Sequence, residues 1–419
     1  MTRRTRILAV LGALVAVMIV AGLLLGGALR PPGQGQTGAD GSGGPNASSA
    51  GGGLDGTPTP EPTPVPIPGH EVYGYLPYWE MTDGINAHLA ATQLTTLGLF
   101  SVTNARDGSL DTAQRGYAAI AGPAGTQLIR EAHDRGTRVE LVFTSFGATR
   151  NKRLFGLSNS PKVQTRLIAS LVGLAGQLKV DGINVDVETI DTELIPAYGE
   201  FVGKLRAALT KVHPKAQVSV ATTANVRGSA MALVASDAGA DRIFLMGYDY
   251  HWSGSAPGAS SPIDRRDGDE KDLVWSLDMY EALGVPVERT ILGLPLYGMA
   301  WPVTGPELGA PNTGKGSNWI PSDHLDFLAD PANVATLDDI EQVEQYLIPS
   351  WNPDKTPDPS ASPLDLTAIY VDSPATLTPK MALADARGLA GVGFWAIGYE
   401  RGLPGYAALI KQFRAGKLE

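Results

Sequence analysis

The sequence predicts an α/β chain built on a (β/α)8 barrel. A small α+β insertion is expected between strands 7 and 8, and a membrane-spanning helix and a disordered tether precede the barrel. Three observations lead there. From about residue 70 onward, eight short apolar runs alternate with helix-period stretches, the rhythm of parallel strands joined by crossover helices. One run, Lys179-Val180-Asp181-Gly182-Ile183-Asn184-Val185-Asp186-Val187-Glu188, reads with period 2. Asn184, Asp186 and Glu188 share one face and Ile183, Val185 and Val187 the other, as in a strand packed outside on helices with polar groups at its inner end. Finally, no Gly-x-Gly-x-x-Gly turn follows the first run, and the Gly-rich tracts lie ahead of it, so an open dinucleotide-binding sheet has little support.

In chain order, residues 1–30 come first. Arg3, Arg4 and Arg6 precede an uncharged run from Ile7 to Leu29, which spans roughly 34 Å as a helix, enough to cross a bilayer. The basic flank sets its N-terminal side in the cytoplasm. A cleavable signal has a shorter apolar core, so an uncleaved anchor is favoured, although Gly26-Gly27-Ala28 could serve as a cleavage site. Residues 31–69 turn to Gly, Ser, Thr and Pro and end in Thr57-Pro58-Thr59-Pro60-Glu61-Pro62-Thr63-Pro64. Such a stretch cannot bury apolar area and reads as a tether that carries a domain away from the membrane.

The folded domain is expected over 70–415. Its strands are expected at Val72–Tyr78, Thr96–Val102, Arg138–Thr144, Asp181–Glu188, Gln217–Thr223, Arg242–Tyr248, Thr290–Leu296 and Gly391–Ile397. Helices are expected at Gly125–Arg135, Pro161–Leu178, Leu194–Val212, Ser229–Gly239, Glu270–Leu283, Leu377–Arg387 and Leu403–Arg414. Residues 301–372 are too long for the barrel rhythm. They hold a Gly/Pro/Asn-rich loop, a helical piece over Leu337–Leu347, a Pro-rich loop and a strand-like Ala368–Val371, and read as a subdomain walling one side of the cleft.

Composition excludes several chemistries. The 419 residues carry 33 Lys and Arg against 43 Asp and Glu, a formal charge of −10, which disfavours a sequence-independent grip on nucleic acid. There is no cysteine, hence no disulfide, thiolate metal site or Cys nucleophile. The histidines, His70, His88, His133, His213, His251 and His324, form no metal-binding pair at helical or strand spacing. No metal or other cofactor is implied. A Gly-x-Ser-x-Gly turn is also lacking. His251 is kept only as a possible subsite contact.

A barrel of this kind works at the C-terminal ends of its strands. Strand 1 ends in Tyr75-Leu76-Pro77-Tyr78-Trp79-Glu80, strand 6 in Met246-Gly247-Tyr248-Asp249-Tyr250-His251-Trp252, strand 7 in Pro295-Leu296-Tyr297-Gly298-Met299-Ala300-Trp301, and strand 8 in Phe394-Trp395-Ala396-Ile397-Gly398-Tyr399-Glu400. Aromatic side chains gather at one rim, with Asp181, Asp186, Glu188 and Asp249 among them. Flat apolar faces interleaved with carboxylates suit a sugar, whose ring faces are apolar and whose edges carry hydroxyls. Like charges so close resist joint ionisation, so one of the Asp186–Glu188 pair is expected to hold a proton near neutral pH, as a general acid must.

The run Asp181 to Glu188 resembles the Asp-Gly-x-Asp-x-Asp-x-Glu signature of glycoside hydrolase family 18, the chitinase-like family. Met246-Gly247-Tyr248-Asp249, Gly293-Leu294-Pro295-Leu296-Tyr297-Gly298 and Trp395 agree with it in order and spacing. Asn184 stands where chitinases usually have Asp. That variant, with the stretch Ala368–Glu400, looks most like the bacterial spore-germination and cortex-lytic branch. Ser145-Phe146-Gly147-Ala148 matches the third-strand Ser-x-Gly-Gly motif poorly, so no site is assigned there.

The resemblance implies a chitinase- or N-acetylglucosaminidase-type enzyme with a catalytic set at Asp181, Asn184, Asp186 and Glu188. Hydrolysis would proceed with retention, the substrate supplying its own nucleophile. Glu188 would protonate the glycosidic oxygen and later activate water, while Asp186 would hold the N-acetyl group. Tyr248 and Asp249 resemble residues that bind that group and the distorted sugar, Trp395 the subsite floor, and Tyr75 and Tyr297 weaker wall candidates. Asn184 removes a charge, so Asp186 should share a proton less readily with its neighbour. The expected partner is an N-acetylglucosamine-containing polysaccharide, peptidoglycan or chitin-like, met outside the membrane or in the medium if the N-terminal segment is cut. The other class is a sugar-binding lectin of the same fold, which the presence of Glu188 disfavours.

Overall fold

The computed structural model describes residues 70–349 and 365–418. The expected anchor and tether lie outside the described residues; among these, no helix is long and apolar enough to cross a membrane. Seven strands follow one another as β1 (Glu71–Pro77), β2 (Thr96–Val102), β3 (Arg138–Phe146), β4 (Gly182–Glu188), β5 (Gln217–Thr223), β6 (Arg242–Met246) and β7 (Thr290–Pro295). After an excursion, Gly391–Trp395 pairs in parallel with both β7 and β1 and closes the eight-stranded barrel.

The period-2 pattern of each strand becomes two separate packings. Outward residues such as Ile183, Val185 and Val187 join the large cluster shared with the helices, including Leu167 and Leu171 of Ser160–Leu178 and Phe201 and Leu205 of Ile195–Val212. Inward residues Tyr73, Tyr75, Phe100, Val142, Ala221, Phe244 and Ile291 form a second cluster that fills the barrel. The ring of Phe244 fits because Gly293 and Gly393 face it; a Cβ on either would stand 2.3 Å from ring carbons. The helices expected around the barrel all form, with ends shifted by a few residues. Three short helices, Ile85–Thr92, Arg115–Ala121 and Ala148–Phe155, join them.

Between β7 and the last barrel strand lies a five-stranded antiparallel sheet. Its strands are β8 (Gly298–Val303), β9 (Ser317–Trp319), β10 (Thr336–Asp338), β11 (Val343–Pro349) and β12 (Leu366–Val371), ordered β10-β11-β12-β8-β9. The closing barrel strand is therefore β13 in chain order. One expectation fails here. Leu337, Ile340, Val343 and Leu347 repeat at helical spacing, yet the segment is a strand, a turn and a strand. Asp338 accepts the N–H groups of Ile340 and Glu341 at 3.0 and 3.1 Å, and Gln342 adopts φ 56°. That local turn chemistry and the pairing of β11 with β12 override the periodicity. Leu337 and Ile340 remain exposed.

Beside the sheet, Lys380 on the helix Pro374–Ala386 is fully buried against Asp372, with Nζ 2.5 Å from Oδ1, and Thr376 donates to the same oxygen at 2.8 Å. Lys380→Met would leave Asp372 as an unpaired buried carboxylate. It is expected to cost about 3–5 kcal/mol, read from the urea unfolding midpoint.

Candidate active site

The cavity at the C-terminal mouth of the barrel has a volume of 620 Å³. Every barrel strand but β7 contributes to its lining: Tyr75, Phe100, Phe146, Asp186 and Glu188, Ala221 and Thr223, Met246, and Trp395. Asp186 and Glu188 share the cavity because residues two apart on β4 point the same way. Rings line this space: Trp395 meets Phe100 edge-on at 4.6 Å between centroids and lies 5.8 Å from Tyr75. Asp249 sits at φ 62°, a left-handed conformation that Asp tolerates, and its N–H donates to Ser260 Oγ at 3.1 Å. The Tyr297 hydroxyl donates to its carboxylate.

Three carboxylates so placed lose much of their hydration. Burial first, then the charge of Glu188, pushes the Asp186 carboxyl well above its ordinary range. Burial, and the charge of Asp249, raises Glu188. Burial raises Asp249 too, against the opposing Tyr297 hydrogen bond. Asp186 Oδ1 is buried with no hydrogen-bond partner among the described residues. A Glu with a raised pKa stays protonated to higher pH, as a general acid near neutrality requires.

The same shifts carry a stability cost. A folded-state carboxyl raised above its unfolded pKa binds more protons in the native state, so stability is full below the unfolded pKa and falls as pH rises through the folded one. Asp186→Asn is therefore expected to raise the thermal midpoint by about 2–4 °C at pH 7. The gain should vanish below about pH 4, where both states hold the proton. A calorimetric pH series checks this.

The sequence-derived site divides. Tyr75, Asp186, Glu188, Tyr248, Asp249 and Trp395 meet in the cavity. Asn184 does not line it; fully buried beneath, it accepts the Tyr75 hydroxyl and donates to Ser219. Tyr297 lies behind Asp249 rather than in the wall. Asp181 is a correction: it precedes β4, at the opposite end of the strand. There its carboxylate accepts the Val139 N–H at 2.7 Å and meets His133 at 2.9 Å, and these partners hold its pKa low against burial. His251 is also corrected, since it is buried, with Nδ1 2.8 Å from the Ala256 carbonyl and Nε2 3.3 Å from Glu341. Trp301, placed at the rim by sequence, is fully buried in the insertion.

The cleft wall is a correction as well. No described residue of 301–372 lines the cavity. The wall comes from the long segment after β6, through Tyr250, Trp252, Ser255, Arg265, Asp269 and Lys271. The insertion props that segment from behind: Asp338 takes a two-pronged hydrogen bond from Arg266 at 2.7 Å, and Glu341 accepts the N–H groups of Ala259 and Arg266. Sequence reasoning also missed Phe100 and Phe146. Both are the last inward aromatics of their strands, and a strand-by-strand reading of alternation would have found them.

A closed parallel barrel whose mouth gathers three carboxylates inside a ring of aromatic faces suits a glycoside hydrolase. The glycosyl hydrolases family 18 model matches residues 71–400, and the chain belongs to that family. It is 27% identical over 272 residues to Nod factor hydrolase protein 1 of Medicago truncatula, covering 61% of this chain and 67% of the relative. Among solved structures, the Bacillus cereus spore cortex-lytic enzyme SleL superposes with a TM-score of 0.61 at 18% identity, covering 82% of this chain and 74% of that one. A Cycas revoluta family 18 chitinase solved with (GlcNAc)3 gives 0.65 at 17% identity, covering 83% and 100%. The fold likeness thus reaches both chitinases and a bacterial cortex-lytic enzyme.

Proposed function

We propose that the chain is a retaining glycosidase that cleaves β-1,4 bonds following N-acetylglucosamine in peptidoglycan or a chitin-like polymer, with the substrate's own acetamido group as nucleophile. The observation that carries this reading is the joint exposure of Asp186 and Glu188 to one aromatic-walled cavity, with Asp186 Oδ1 buried and unpartnered among the described residues. Glu188, whose carboxyl is shifted toward the protonated form by burial and by the charge of Asp249, gives its proton to the glycosidic oxygen as the C1–O bond breaks. The acetamido carbonyl oxygen forms the new bond to C1, and Asp186 takes the acetamido N–H and balances the charge that develops there. Glu188, now a carboxylate, removes a proton from the water that opens the intermediate. Trp395 floors the sugar, while Tyr248 and Asp249 hold the acetamido side and the distorted ring. Asn184 acts from beneath, through Tyr75.

The apolar run Ile7–Leu29 behind Arg3, Arg4 and Arg6 supports a membrane-anchored enzyme with its barrel outside, and the Pro-rich tether supports reach toward wall polymer. Mass analysis of products from purified peptidoglycan and from N-acetylglucosamine oligomers, side by side, tests the substrate. Binding of both without products would favour the lectin class. Fractionation of cells carrying the full chain tests the location; recovery in the soluble cytoplasm would end that part.

A further inference from the structure

Beneath Asp186 the barrel holds a carboxylate that hydrolysis leaves unused. Glu140 of β3 is 1% exposed. In register beside it stand Gly98 of β2 and Gly182 of β4. A Cβ on Gly182 would come 3.1 Å from Glu140 Cγ and Oε1, and one on Gly98 would come 2.6 Å from the Tyr73 hydroxyl. Glu140 Oε2 accepts from Tyr73 at 3.0 Å and from Ser219 at 2.5 Å. Ser219 Oγ accepts from Asn184 Nδ2 at 2.7 Å, and Asn184 Oδ1 accepts from Tyr75 at 3.1 Å.

Donor and acceptor chemistry gives this chain one direction. An ionised carboxylate only accepts, so the single Ser219 proton goes to Glu140. Ser219 then offers only a lone pair, which turns the amide nitrogen of Asn184 toward it and the amide oxygen toward Tyr75. The Tyr75 proton is thereby committed. Burial pushes Glu140 up, while Ser219, Tyr73 and the charge on Arg138 oppose it; Asp241 is the further acidic group acting on it.

We propose that Glu140 is a positioning residue for the site above it. The chain Tyr73–Glu140–Ser219–Asn184–Tyr75 admits one carboxylate, and this protein carries it at 140 with an amide at 184. That arrangement keeps the Tyr75 proton on Asn184 and leaves the Asp186 carboxyl, whose Oδ1 has no donor among the described residues, free to turn and take one from the substrate. The role of Asp186 rests on the reading given under Proposed function.

A cycle of four proteins tests this: wild type, Glu140→Gln, Asn184→Asp and the double variant. Asn184→Asp alone sets two carboxylates against one Ser219 proton, and kcat on N-acetylglucosamine oligomers is expected to fall roughly tenfold with KM little changed. Glu140→Gln alone keeps an oxygen at the Oε2 position and should lower kcat less than about threefold. In the double variant the chain runs in reverse: the amide introduced at position 140 donates to Ser219, and Ser219 donates to the carboxylate introduced at position 184. Its kcat should return to within about threefold of wild type. A double variant no better than Asn184→Asp, or an Asn184→Asp enzyme as fast as wild type, overturns the proposal. Thermal midpoints of the same proteins form a substrate-free cycle. Should Asn184→Asp not fold, recovery in the double variant supports the proposal and failure of both overturns it. If wild type cleaves no acetamido glycan, the functional reading fails and the thermal cycle alone decides the case for Glu140.

Discussion

Glu188→Gln is expected to lower kcat on N-acetylglucosamine oligomers by roughly 10²–10⁴-fold while the oligomers still bind. The amide has nearly the shape of the carboxylic acid, so the cavity and its aromatic walls persist. On the proposed mechanism, what disappears is the proton for the leaving oxygen and the base for water. Glu188 stands at the end of β4, open to the cavity, with its pKa raised by burial and by Asp249. Steady-state kinetics and calorimetric titration of an oligomer measure the two quantities separately. A variant with wild-type kcat would remove Glu188 from the chemistry, and one with no binding would mean the substitution disturbed the site itself.

Substrates without the 2-acetamido group are expected to be inert, with rates at least about 10⁴-fold below their acetamido counterparts. Nucleophilic attack from within the bound sugar carries an effective molarity of roughly 10⁵–10⁸ M, and a plain glucoside forfeits all of it. Asp186 makes the expectation specific to this site. Its Oδ1 is buried without a donor among the described residues, so a turn of the carboxyl that brings this oxygen to an acetamido N–H would satisfy an acceptor that is costly to leave open. Matched aryl glycosides with and without the acetamido group give the comparison. Comparable turnover of both would refute substrate assistance and point to a carboxylate nucleophile.

Much of the site was legible because a β-strand has a short, rigid period. Asp186 and Glu188 had to share a face of β4, and the ends of the neighbouring strands had to share its rim. Tyr75, Tyr248, Asp249 and Trp395 follow from that rule, and all four line the cavity. Where expectation and structure part, position along the strand was at issue. Asp181 sits in the same motif, but some seven residues of strand at ~3.3 Å each carry it to the far end of the barrel. Tyr297 and Trp301 follow β7, the one barrel strand that sends no side chain to the cavity, and turn into the inserted sheet instead. The helical spacing in Leu337–Leu347 was real, but a turn at Asp338 and pairing with β12 outweighed it.

The chain's own order of residues pointed to the barrel and its polar strand end, since alternation and strand–helix rhythm are local properties, while the class of chemistry came from the resemblance of its motifs to a known family. Only the tertiary structure decided which loop walls the cleft, that Asp186 lacks a donor among the described residues, and that Glu140 lies between two glycines beneath Asn184. Those facts depend on register between strands and on contacts between distant segments, which are set by packing across the barrel and leave no periodic trace along the chain.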